Sequence, residues 1–297
     1  MQPILLSLML ILANQPESEK EKSTPNAEDA ALRASIAKSA REFAGRCEFT
    51  AGATTNAKLV LHPEPILRWS NPTAGKVFGE VFVWTDNGRP AVVGSWYRWI
   101  SPDWGRTFEV CSLSDGRLSG RINDAGFWNS EKPGLILKPL SDVDAPARTA
   151  ALRLQQMRQL AGDFVANLAD TRSTDEGVKR QLRLLPRPVF RYLPPNAEST
   201  YLDGGLFAFV EGTDPEAFLV LEATKANNDT HWQYGLVRMN SDALRITFRD
   251  ELIWTVPKID NPMNLSQEPY ALFVSESVLK APVDGNQKDT PAKAKQP

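Results

Sequence analysis

Two arginines stand directly before an aromatic residue, and each follows a Pro-x-Pro break: Arg68-Trp69 after Pro63-Glu-Pro65, and Arg191-Tyr192 after Pro186-Arg-Pro188. A guanidinium carries a rigid fork of donors that matches a carboxylate or another oxyanion, and the neighbouring ring offers a stacking face. Arg68, Trp69, Arg191 and Tyr192 are therefore the candidate binding residues. The competing reading is structural: each arginine fastens a proline-interrupted strand to its neighbour through a carboxylate such as Asp86 or Glu211. Presence in both places favours the structural reading.

Other chemistry-bearing types are sparse. The two cysteines, Cys47 and Cys111, are a candidate disulfide in an oxidising compartment; the alternative is two buried thiols. No CxxC motif occurs. The two histidines, His62 and His231, do not occupy corresponding places, whereas a His-based zinc site wants two or three ligands gathered together, and no G-x-S-x-G elbow accompanies them, so they read as ordinary surface or loop histidines. No metal and no cofactor are expected. Acidic residues gather at Asp203-Gly-Gly and Glu211-Gly-Thr-Asp214-Pro, where turn chemistry explains them as well as acid–base work does. Trp84, Trp96, Tyr97, Trp99 and Trp104 could line a groove, although bulk for the core is the commoner use.

The elements that would hold these residues occur twice. Leu59–Pro72 reads LVLHPEPILRWSNP and Leu182–Pro195 reads LRLLPRPVFRYLPP. At one constant offset Leu59, Leu61, Pro63, Pro65, Arg68 and Pro72 meet Leu182, Leu184, Pro186, Pro188, Arg191 and Pro195. The match continues through GEVFVW (79–84) against GGLFAF (204–209), and through Asp124 and Trp128 against Asp250 and Trp254. An internal duplication follows, with module one over 28–140 and module two over 141–279. Each module is expected to be α+β: one N-terminal helix packed on a curved antiparallel sheet of five to six strands. The first helix should run from about Asn26 to Gly45, with Leu32, Ile36, Ala40 and Phe43 on one face. The second carries Leu152, Met157, Leu160, Phe164 and Leu168, with Pro146 placed for its start. Asp86-Asn87-Gly88 signals a hairpin. Leu244, Ile246 and Phe248 alternate with Arg245, Thr247 and Arg249, as in a strand with one wet face.

The 297 residues, eight tryptophans and thirteen phenylalanines suffice for two cores. A formal charge of −2 argues against a general nucleic-acid binder, which carries a basic excess. Residues 1–13 have the apolar run of a secretory signal, too short to span a bilayer. Residues 14–27 read as a polar, disordered leader and 280–297 as a disordered tail. No later run is long enough for a membrane helix. The expectation is an exported protein, periplasmic or extracellular, with no transmembrane segment once mature.

The WSNP turn, the FVWT-x-x-GRP segment, LRLLPRPVFRY and DGGLFAFVEGTDPE resemble a family of secreted proteins from planctomycete bacteria, over roughly Ala30–Pro257. The resemblance implies export and a bacterial source, and implies no particular activity or site. Three functions stay open: a non-catalytic binding protein using a cleft between or within the modules, a hydrolase-like enzyme with an Asp/Glu/Arg site, and an assembly protein of the cell envelope. The corresponding partners are a small molecule or an envelope protein.

Overall fold

The computed structural model describes residues 27–52, 57–102, 105–169, 179–226, 229–263 and 265–274. The expected signal (1–13), the leader up to residue 26, the tail (280–297) and Trp104 lie outside the described residues. The chain runs α1 (Ala27–Ala44), β1 (Cys47–Ala51), β2 (Ala57–Lys58), β3 (Val60–Leu61), β4 (Leu67–Ser70), β5 (Lys76–Asp86), β6 (Arg89–Ser101), β7 (Gly105–Ser112), β8 (Leu118–Ile122), β9 (Ala125–Ser130) and β10 (Lys138–Pro139). It continues with α2 (Ala150–Gly162), β11 (Phe164–Ala169), β12 (Lys179–Gln181), β13 (Arg183–Leu184), β14 (Phe190–Tyr192), β15 (Tyr201–Glu211), β16 (Asp214–Ala226), β17 (Asp229–Arg238), β18 (Leu244–Phe248), β19 (Glu251–Val256) and β20 (Tyr270–Val274).

Strand accounts for 53% of the described residues, in several antiparallel sheets with two helices, so the class is α+β. The strands of each half divide between two sheets, which corrects the expectation of a single curved one. An outer sheet has the order β2-β1-β8-β9, and a central sheet the order β20-β7-β6-β5-β3 with β4 also on β5. The other half has β12-β11-β18-β19 and β10-β17-β16-β15-β13, with β14 on β15. The reason for the split lies at one edge. The free side of β7, where β8 would have continued the sheet, is taken by β20, with Tyr270 opposite Cys111 and Val274 opposite Thr107. The free side of β17 is taken in the same way by β10, with Lys138 opposite Tyr234. Each half thus lends an edge strand to the other's central sheet, and the halves cannot be parted at Leu140.

Side-chain alternation then builds three cores. Phe82, Trp84, Val92, Trp96, Phe108 and Val110 point outward from one central sheet, beneath α1 and the outer sheet. Phe207, Phe209, Leu219, Leu221 and Trp232 do the same under α2. The opposite faces, among them Val81, Val83, Val93, Leu206, Ala208, Phe218 and Val220, meet each other in a middle layer. The two long central strands bury nearly every residue because both of their faces are covered.

The helix over 150–162 ends sooner than its apolar spacing suggests. Phe164 and Leu168 belong to β11, where Phe164, Ala166 and Leu168 alternate inward. Residues at 157, 160, 164 and 168 fit a helical stripe, and those at 164, 166 and 168 fit a strand equally well. Pairing of Phe164–Leu168 with Phe248–Leu244 decides for the strand. The start is set by Thr149 rather than Pro146: the Thr149 hydroxyl accepts from the Leu152 N–H, an N-cap. The hairpin at Asn87-Gly88 forms as expected, with φ of 48° and 85°.

Candidate functional site

Each arginine of the Pro-x-Pro segments pairs with a carboxylate on the strand beside it. Arg68 on β4 lies opposite Glu80 on β5, and its Nε donates to Glu80 Oε1 at 2.9 Å. Arg191 on β14 donates from Nε and Nη2 to the two oxygens of Asp203 at 3.0 and 2.7 Å, and from Nη2 to the Ala150 carbonyl at 2.5 Å. The partners are therefore neither Asp86 nor Glu211. Asp86 accepts from Asn87 at a hairpin tip, and Glu211 pairs with Arg180. The ladder register brings Glu80 and Asp203 alongside the arginines, which sequence distance could not reveal. Asp203 is not a turn residue but a fully buried member of β15.

The aromatic neighbours serve the fold. Trp69 lies over Gly79 and donates from its indole N–H to Ser95 Oγ at 2.9 Å. Tyr192 lies over Gly204 and donates from its hydroxyl to Glu222 at 2.8 Å. A Cβ at Gly79 or Gly204 would stand 2.4 or 2.1 Å from the ring, so both glycines are required by close approach. Trp84 and Trp96 are buried in the outer core, whereas Tyr97 and Trp99 face the middle layer. His62 contacts the Glu64 carbonyl, and His231 contacts Thr224 and Gln233, so the histidines serve separate places.

The candidate disulfide does not form. Cys47 and Cys111 are free and buried. Cys47 packs in the outer core and Cys111 in the middle layer, on opposite sides of a central sheet. Burial raises both thiols above their usual range, and a buried protonated thiol is a poor nucleophile.

Where the two central sheets meet, the structure gathers groups that stand out less in the sequence. At one end Arg89 makes a bidentate pair with the buried Glu222, at 2.9 and 3.1 Å. At the other end acids predominate. Glu109 on β7 accepts from the hydroxyls of Tyr97 and Tyr270, each at 3.1 Å. Asp214 accepts from Asn71 at 3.4 Å, and Glu216 accepts from Asn240. Burial pushes Glu109 up to about 8, against the opposing pull of its tyrosine hydrogen bonds. Burial likewise raises Glu216 to about 7, and raises Asp214, which Glu216 and Glu109 repel further. Among the described residues no group of three His, Cys, Asp or Glu is placed to hold a metal ion. A charged residue inside an apolar run, as in Phe108-Glu109-Val110 and Leu221-Glu222-Ala223, was the sequence signal for these positions.

This chemistry makes stability depend on pH. The folded protein keeps the Glu109 proton to about 8, whereas the unfolded chain releases it near 4.5. The stabilisation is thus complete below about 4.5 and is lost as pH rises through about 8. Glu109→Gln keeps an uncharged acceptor and should remove that loss, which is on the order of a few kcal/mol. Chemical denaturation of both proteins across this pH range measures it. An unchanged pH dependence would show that Glu109 is not the titrating group.

Beside Tyr270, the hydrogen-bond partner of Glu109, the seam opens into a cavity of about 520 Å³. One wall is Cys111, Ser112 and Gly134, and the other is Val237, Arg238, Trp254, Val256 and Ile259; Tyr270 of the exchanged strand closes it. Its polar groups are engaged elsewhere. Arg238 donates to the carbonyls of Asn240, Pro257 and Asp242 at 2.8, 3.0 and 2.6 Å, and Tyr270 donates to Glu109. Two further polar residues line it: Glu268 pairs with Lys132, and the Ser112 hydroxyl accepts from the Ser114 N–H, while Leu236, Val237, Trp254, Val256, Ile259, Leu265 and Pro269 make most of the lining apolar.

No helix among the described residues is long and apolar enough to cross a membrane. No protein-family model, curated protein or solved structure matches this chain.

Proposed function

We propose that this is an exported bacterial protein that acts by binding, and that it takes an apolar small molecule into the cavity between two duplicated modules. The observation that carries the reading is the cavity itself. Its volume of about 520 Å³ lies within the usual range for small-molecule sites, and both halves line it. Arg238 and Tyr270 spend their donors on protein acceptors, so burial of apolar ligand surface supplies the affinity. The duplication is supported by two runs of elements in the same order, with matching strand orders in both pairs of sheets. Export rests on the apolar N-terminal run and on the resemblance to secreted planctomycete proteins.

An uncharged solvatochromic dye such as Nile red tests the reading directly. It should bind the folded protein with one saturable site and a rise in emission. Ile259→Trp places a large ring into the cavity from a partly exposed loop. It should abolish dye binding while leaving the thermal unfolding midpoint within a few degrees of the parent. Dye binding that survives this substitution, or none by the parent protein, would overturn the assignment.

A further inference from the structure

At the end of the seam held by Arg89 and Glu222 a second cavity opens, of about 560 Å³. Its two walls come from different halves and differ in chemistry. On β16 and β17, Glu222 stands opposite Gln233 and Thr224 opposite His231, on the face that supplies Val220 and Val237 to the middle layer. Arg89 reaches this wall from the start of β6 through its pair with Glu222. The facing wall is aliphatic and comes from the segment between β9 and β10. Leu135 and Leu137 pack on Gly235, where a Cβ would stand 2.4 Å from Leu135, and Ile136 between them is left 64% exposed.

The polar wall keeps open groups of both kinds. Glu222 is itself saturated, by Arg89 and by the Tyr192 hydroxyl. Its pair with Arg89 engages Nε and Nη2 and leaves Nη1. The Gln233 amide nitrogen, which can only donate, lies 3.1 Å from His231 Nε2, so the ring proton sits on Nδ1. Thr224 donates its hydroxyl to the His231 carbonyl at 3.2 Å. Arg89 Nη1, His231 Nδ1 and Gln233 Oε1 have no hydrogen-bond partner among the described residues, and none of the three is closed off from water. Two of them donate and one accepts. Charge around the cavity is balanced, with Arg89 and Lys225 against Glu222 and Asp115. A charged ligand would therefore bring a charge with no counterpart, and burying one is costly.

We propose that this cavity is a binding site for a neutral sugar. A hydroxyl both donates and accepts, as the open groups of the polar wall require, and a pyranose ring presents an apolar C–H face to Ile136 and its aliphatic neighbours. Sugar oxygens accept from Arg89 Nη1 and His231 Nδ1, and a sugar hydroxyl donates to Gln233 Oε1. A wholly apolar ligand would strip water from these three groups and pair none of them. The volume lies in the usual range for small-molecule sites. The site shares no lining residue with the apolar cavity and does not depend on the function assigned there.

Saturation-transfer NMR and calorimetry on the full chain would use glucose, galactose, mannose, N-acetylglucosamine, maltose and cellobiose as probes, each at millimolar concentration. Glucuronate and glucosamine are the charged controls. At least one neutral sugar should bind, and both charged controls should bind more weakly than it by roughly fivefold or more. Gln233→Ala and His231→Ala should each weaken the preferred sugar roughly fivefold, the usual worth of one hydrogen bond. Ile136→Ser changes only an exposed position and should weaken the sugar severalfold while leaving the thermal midpoint unmoved. No binding of any neutral sugar, tighter binding of glucuronate or glucosamine, or full affinity in both Gln233→Ala and Ile136→Ser would overturn the proposal.

Discussion

Replacing Asp203 by Ala is expected to destabilise the protein by about 3–5 kcal/mol, the usual cost of stranding a buried charge. Asp203 is 0% exposed and accepts from both Arg153 and Arg191. Arg153 is itself buried, and its remaining donors reach the carbonyls of Ala147, Arg148 and Leu202. Without Asp203 the guanidinium keeps its charge in a dry site, and the start of α2 keeps only the Leu202 carbonyl as Arg153's hydrogen-bond partner on β15. Glu80→Ala is the control. It frees Arg68, whose side chain is 63% exposed and can return to water, so its cost should be lower by about 2 kcal/mol or more. Denaturant midpoints of the two variants provide the comparison. Equal losses would mean that the pairing of Asp203 with a buried arginine contributes no more than the pairing of Glu80 with exposed ones.

The second large effect concerns the exchanged strand. Phe273 on β20 is buried among Phe127 and other residues of the first outer core, although the chain reaches it only after the second half is complete. Phe273→Ala should cost about 3–5 kcal/mol, as large-to-small changes in aromatic cores do. The loss should fall on the first half. Hydrogen exchange should report lower protection on β7, where Thr107–Cys111 pair with Val274–Tyr270. Protection lost only from β18 and β19 would show that β20 stabilises its own half instead.

The sequence by itself determined what depends on neighbours along the chain. Alternation placed Leu244 and Ile246 inward on β18. Asn87-Gly88 set a hairpin because its positive φ values suit those residues. Helical spacing located α1 and its inward face, Ile36, Ala40 and Phe43. The candidate residues Arg68 and Arg191 were also visible, since Pro-x-Pro isolates the short strands that carry them. Strand partners were not visible. Backbone N–H and C=O groups are the same at every residue, so nothing local says that β20 completes the sheet of the first half or that β8 pairs with β1. The chemistry of the sites depends on those choices. Glu80 is Arg68's partner only because β4 lies on β5, and Glu109 meets Asp214 and Glu216 only because two sheets face each other. Phe164 and Leu168 fitted two periods at once, and pairing with β18 settled the matter. Tertiary structure alone decided that Arg153 docks on Asp203 in one half while Ile36 docks in the apolar core with Phe78 in the other. That difference requires two helices to dock alike while a single position on their buried faces changes from a donor to a hydrocarbon.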